Sequence, residues 1–189
     1  MVATATATAT DVGSAMMEPV PHGFNTDGGI HEIPLDATVG RLWLCGKHHI
    51  GPDVEAVRAR HDIHTVVCLV EEHELAGRYD DYIEWLRAHE GRGALWYPIH
   101  DLTYPDIDIA GPFVDTVTGI VRDTGNVLVH CAAGIGRAGT TAVAVLMNLG
   151  MWIDDAVAHV RMHRPMAGPE TGMQTEFAMQ LQERIDSGA

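Results

Sequence analysis

The sequence predicts an α/β domain built on a central, mostly parallel sheet, and three observations carry that prediction. Short β-rich runs alternate with amphipathic helical patterns along the chain, which is the order a parallel sheet with covering helices requires. The 189 residues are long enough to bury a single substantial core. Apolar residues make up 46% and charged residues 20%, so the chain has the composition of a folded globule and not of a disordered one.

The elements follow in order. Val2 to Thr10 alternates small residues, and the stretch to Gly29 is rich in Gly, Pro and acid with no apolar period, so residues 1–29 read as a mobile tail and 30–189 as one domain. The strand-like runs are Arg41–Cys45, Thr65–Val70, Leu95–Ile99 and Asn126–His130. A helix is expected over Asp53–His61 behind Pro52. A second over Leu75–His89 carries the stripe Leu75, Tyr79, Tyr82, Ile83 and Leu86. Phe113, Val117, Ile120 and Val121 give a third stripe after Pro112, and Ala142–Leu149 is apolar nearly all round, as a central buried helix would be. A helix starting at Asp154 and Asp155 ends at Pro165, where Arg161 and Arg164 suit its negative end. A last helix over Gly172–Ile185 has the stripe Met173, Phe177 and Leu181.

Charge narrows the function. Twelve basic against 26 acidic residues leave a net charge of −14, so a phosphate backbone or an anionic lipid surface meets repulsion. No nucleic-acid or membrane partner is expected. The sparse, odd set Cys45, Cys68 and Cys131 is no disulfide framework, no Lys or Arg precedes Arg41, and no apolar run is long enough for a bilayer; a monomer in the cytoplasm is the expectation.

The chemistry concentrates in His130–Thr141, HCAAGIGRAGTT, between the apolar runs NVLV and AVAVLM. Gly134, Gly136 and Gly139 permit a tight turn whose amides face inward, and the following helix adds its positive end. Cys131 opens the loop and Arg137 closes it, with Ala132, Ala133, Gly134, Ile135 and Gly136 between. Inward amides and a guanidinium favour a thiolate beside a bound oxyanion. This run resembles the active-site loop of the cysteine-dependent phosphatases of the tyrosine and dual-specificity type. Rhodanese-type sulfurtransferases, the nearest chemical rival, usually have four residues between Cys and Arg.

The resemblance extends over most of Arg41 to Leu181, through CLVEEHEL and RMHRPMAGPETGMQ. It implies a phosphotyrosine-phosphatase-like fold in which Cys131 attacks phosphorus, the amides of Ala132 to Gly136 and Arg137 bind phosphate, and His130 holds the loop's shape. Asp101, 131 − 101 = 30 residues upstream in YPIHDLTYP, is similar to the general acid of that family, whereas Asp106 and Asp108 lie beyond Pro105 and read as helix-start charges. Gln174 is a candidate for placing the hydrolytic water, against the alternative of a polar position on the outer face of a helix. One departure stands out: Ala138 occupies the position where the family usually carries Ser or Thr, so slow breakdown of a phosphocysteine is expected.

The implied substrate is a phosphorylated protein or peptide, phosphotyrosine first, with phosphoserine and phosphothreonine as further candidates. No lysine stands among the five loop residues, which argues against a highly charged inositol phosphate. The alternatives are a module that reads phosphate without turnover and a phosphatase of small-molecule or lipid phosphates. No metal or organic cofactor is expected, since the 12 histidines form no ligand pattern. Cys45 and Cys68 read as core residues, with capture of an oxidised Cys131 as the sharper alternative.

Overall fold

The computed structural model describes residues 29–188. The expected tail over 1–29 lies outside the described residues except for Gly29, which is buried. Five strands, β1 (His31–Ile33), β2 (Leu42–Gly46), β3 (Ile63–Cys68), β4 (Ala94–Trp96) and β5 (Asn126–Cys131), form one sheet in the order β1-β2-β5-β3-β4. All neighbours are parallel except the edge pair β1 and β2, so the sheet is mixed with a parallel centre. The central strand, β5, ends at Cys131, placing the loop that follows at the carboxyl edge of the sheet, where open α/β sheets build their sites.

Alternation along the strands divides the core into two layers. Leu42, Leu44, Val67, Val127, Val129 and Cys131 pack with α5 (Ile107–Asp123), α6 (Gly136–Asn148), α7 (Ile153–His163) and α8 (Gly172–Ser187). Cys45, Val66, Cys68 and Leu128 face α1 (Lys47–Ile50), α2 (Val54–His61), α3 (Glu72–Leu75) and α4 (Asp80–His89). His130, on this second face, receives Tyr82 of α4.

Several boundaries differ from the sequence expectation, each for a local reason. The helix expected over Leu75–His89 is two helices, because Gly77 adopts φ +75° and Asp80 accepts its amide at 2.8 Å. The strand expected to reach Ile99 ends at Trp96, since Pro98 has no amide to donate, although Tyr97 and Ile99 still bond the Cys68 and Leu69 carbonyls. Helix α5 begins at Ile107, capped by Asp106, and runs through Pro112. Helix α6 begins at Gly136, six residues before the apolar run, so Arg137 stands in its first turn. Of the three loop glycines only Gly134 needs its conformation, with φ +73°. Gly139 is required for close packing, since a β-carbon there would strike the Gly168 backbone. Met173, expected in the core stripe of α8, is exposed, and Gln174 is buried beside Phe177 and Leu181 instead. The short elements β1 and α1 had no pattern long enough to read.

Candidate active site

Strand β5 delivers Cys131 to the base of the loop, where it is 3% exposed and the Gly134 amide donates to Sγ at 3.2 Å. That amide is one inward dipole fixed on the sulfur. Helix α6 then places Arg137 over the same loop. Its guanidinium is almost completely buried and heavily engaged. Nη1 and Nη2 make a bidentate pair with Glu74 at 2.7 and 3.1 Å, Nη1 also donates to the Ile99 carbonyl at 2.8 Å, and Nη2 lies 3.0 Å from Asp101 Oδ1. The buried Nε–H has no partner among the described residues. A fork with one arm free and a second held by an exposed carboxylate is ready to take two oxygens of a phosphoryl group.

Glu74 was not singled out from the sequence. The start of α3 makes its position: the capping box of Glu71 and Glu74 opens the helix, and the carboxylate turns to Arg137 and, at 4.0 Å, to Lys47. Burial would raise the Glu74 carboxyl, but the hydrogen bonds and charge of Arg137 win and hold it below the ordinary range.

Asp101 sits on an exposed loop whose ends are anchored. Leu102 is held at φ +59° while its carbonyl accepts from Thr171 Oγ1 at 3.0 Å, and Thr103 bonds the His100 carbonyl. Asp106 caps α5 and Asp108 lies in its first turn. Gln174 is 1% exposed. Its Oε1 accepts from the Glu170 amide at 2.8 Å and from Thr140 Oγ1 at 3.5 Å, and its Nε2 donates to the Thr103 carbonyl at 3.4 Å. The residue thus ties the Asp101 loop, α6 and the Glu170 turn together, and the outer-face alternative does not hold. The Glu170 carboxylate lies against Gly136, and burial raises it, with the charge of Asp101 adding and the Gly136 amide opposing.

His130 carries no charge at neutral pH. Burial pushes the imidazole down to about 3, and Arg137 and Lys47 act in the same direction. Tyr82 Oη lies 2.6 Å from Nε2, burial holds that phenol protonated, and the hydrogen bond between the two braces the ring from α4. Neither group is a base for the thiol. Ala138 is fully buried; Thr141 Oγ1 donates to the Arg137 carbonyl and pairs with Tyr104, while Thr140 Oγ1 donates to Gln174, so neither hydroxyl replaces the missing one. Burial pushes the Cys45 thiol up, and Cys68 up to about 12. Both lie across the sheet from His130.

Arg164 overturns its sequence reading. A place at the end of α7 suggested a simple dipole partner, yet the side chain is 3% exposed and donates to the backbone of the Cys131–Arg137 loop itself. Nothing in the local pattern distinguishes it from Arg161, which is exposed and donates to the Pro169 carbonyl at 3.4 Å. Among the described residues no group of three or more His, Cys, Asp or Glu could hold a metal ion, and no helix is long and apolar enough to cross a membrane.

The family model for the dual specificity phosphatase catalytic domain matches residues 42–183. Dual specificity protein phosphatase 1 of Arabidopsis thaliana is 42% identical over 71 residues, covering 37% of this chain and 34% of that protein. Dual specificity protein phosphatase 15 of Rattus norvegicus is 32% identical over 97 residues, covering 45% and 39%. These matches therefore span well under half of the relatives' own length. The crystal structure of Tk-PTP in its active form is 30% identical with a TM-score of 0.64, covering 81% of this chain and 97% of that one. Kinase associated phosphatase, 19% identical with a TM-score of 0.69 over 86% of this chain and 98% of that one, shares the fold.

Proposed function

The chain belongs to the dual specificity phosphatase family, and from that premise we propose that it hydrolyses phosphate monoesters on protein side chains, phosphotyrosine first, through a phosphocysteine. The observation that supports this most is the Arg137 fork, with its buried Nε–H unpartnered and its Nη2 on the exposed Asp101, above a sulfur that already accepts a loop amide.

The residues act in sequence. Phosphate entering the loop takes Arg137 Nε and Nη2 and the inward amides of Ala132 to Gly136, releasing Asp101 from the guanidinium. Glu74 and the Ile99 carbonyl keep Nη1 fixed, so the fork does not turn with its ligand. Cys131 Sγ attacks phosphorus in line, the ester oxygen leaves, and Asp101 in its protonated form gives it a proton. Water then attacks the phosphocysteine, a proton passes to the Asp101 carboxylate, and orthophosphate and the thiolate are released. No metal or organic cofactor enters these steps. Gln174 acts by holding the Asp101 loop through the Thr103 carbonyl, and His130 by shaping the loop.

Ala138 favours a second reading, a slow enzyme or a reader of phosphate. A hydroxyl donor lost from a water-poor site costs on the order of 2–3 kcal/mol, or roughly a hundredfold, in the step it assists. Release of orthophosphate from a phosphotyrosine peptide by the wild type, abolished in Cys131→Ser, supports hydrolysis. Tight binding of the peptide with no phosphate released supports the reader. A matched lipid-phosphate vesicle hydrolysed faster than any phosphopeptide would move the substrate class to lipids.

A further inference from the structure

We propose that Arg164 is the second cation of the phosphate site, a positioning residue that works from behind the loop. The inference rests on the reading of that loop as a phosphate cradle. Nε donates to the Gly134 carbonyl at 2.5 Å, Nη2 to the Ala133 carbonyl at 2.8 Å, and Nη1 to the Gly29 carbonyl at 2.5 Å. The two ends of a peptide unit point in opposite directions. Drawing the Ala133 carbonyl back onto Arg164 therefore turns the Gly134 amide forward, and that amide is the one found on Cys131 Sγ. Drawing back the Gly134 carbonyl turns the Ile135 amide forward in the same way. The residue at 134 must be glycine for this closure, because φ is +73° and a β-carbon would strike the Cys45 carbonyl and Arg164 Nη2.

Charge distinguishes Arg164 from Arg137. The front guanidinium is matched by Glu74 and Asp101. The rear one, equally buried, pairs with no carboxylate within 4.0 Å among the described residues and is surrounded by carbonyl dipoles alone. A buried guanidinium stays protonated, so its charge is left to be balanced by whatever anion occupies the loop, first the Cys131 thiolate and then the phosphoryl group. The same side chain ties Gly29, at the entry to β1, to the site.

The experiment compares wild type, Arg164→Met and Arg164→Lys for orthovanadate affinity, for the rate of Cys131 alkylation by iodoacetamide at pH 7, and for thermal unfolding. The expectation is that Arg164→Met weakens vanadate and slows alkylation at least tenfold while still unfolding cooperatively. Arg164→Lys, which keeps the charge but not the three-way fork, should recover part of the vanadate affinity. Should Arg164→Met fail to fold, the lysine variant carries the test, with reduced vanadate affinity in a folded protein as the supporting result. Folded variants that match wild type in both readouts overturn the inference, as does failure of both variants to fold, which would make Arg164 a fold-holding residue only. Wild type that binds no vanadate would instead defeat the phosphate-cradle reading itself.

Discussion

The front and back of the Cys131–Arg137 loop are built from different partners. In front, Arg137 is held by two carboxylates, Glu74 in a part-buried bidentate pair and Asp101 on an exposed loop, with the Ile99 carbonyl beside them. Behind, Arg164 is held by main-chain carbonyls, and His130 by a tyrosine hydroxyl from α4. In the proposed reaction the Asp101 carboxylate gives way to phosphate while Glu74 stays. Carbonyls that belong to the loop do not give way. The contrast separates the groups proposed to take part in chemistry from those that give the loop its shape, and substitutions on each side should differ in kind.

The largest effect is expected in front. Asp101→Asn should lower turnover of an alkyl or aryl phosphate with a poor leaving group by about 10³-fold, with much less loss for a good leaving group that needs no proton. Equal losses for both kinds of leaving group would remove Asp101 as the acid. Next is Ala138→Thr, which should accelerate phosphoenzyme breakdown by roughly a hundredfold and suppress a pre-steady-state burst; unchanged burst amplitude and turnover would show that the missing hydroxyl does not limit the reaction.

Two smaller effects belong to the supports. Gln174→Ala removes a buried side chain that accepts from the part-buried Glu170 amide and donates to the Thr103 carbonyl, so chemical denaturation should report a loss of about 1–3 kcal/mol. The same variant should lose turnover through the loosened Asp101 loop, and a stability change with untouched turnover would reduce Gln174 to a core residue. At the back, the His130 imidazole titrates near 3 when folded against about 6.5 when unfolded, so below pH 6.5 the unfolded chain takes up a proton that the folded chain does not. Stability should therefore fall on acidification by up to about 1.4 kcal/mol for each pH unit between 6.5 and 3, and His130→Asn should flatten that slope whatever its cost at pH 7. An unchanged slope in the variant would place the acid sensitivity elsewhere.

The same contrast explains what could be read from the sequence. The strand, loop and helix around Cys131 and Arg137 occupy one continuous stretch, and their glycines and apolar flanks carry the pattern directly. The Asp101 loop was legible by its Pro105 stiffener and its distance upstream. Glu74 and Arg164 were not, because they meet the loop 63 and 30 residues away in sequence, through contacts that periodicity does not record. Tyr82 was legible as a core stripe residue, but its hydroxyl's partner on β5 is 48 residues distant. Gln174 was legible as a polar residue in a helix, and its burial depended on three partners supplied by separate segments. The broken helix over residues 75–89 hid behind an apolar stripe that continues across Gly77.

The most direct test of the central claim is to trap the covalent intermediate. A rapid quench of the enzyme with an aryl phosphate, followed by peptide mapping by mass spectrometry, should find a single phosphoryl group on the peptide containing Cys131, absent in Cys131→Ser and prevented by prior vanadate. A phosphoryl group on any other residue, or phosphate release that continues in Cys131→Ser, would contradict the account.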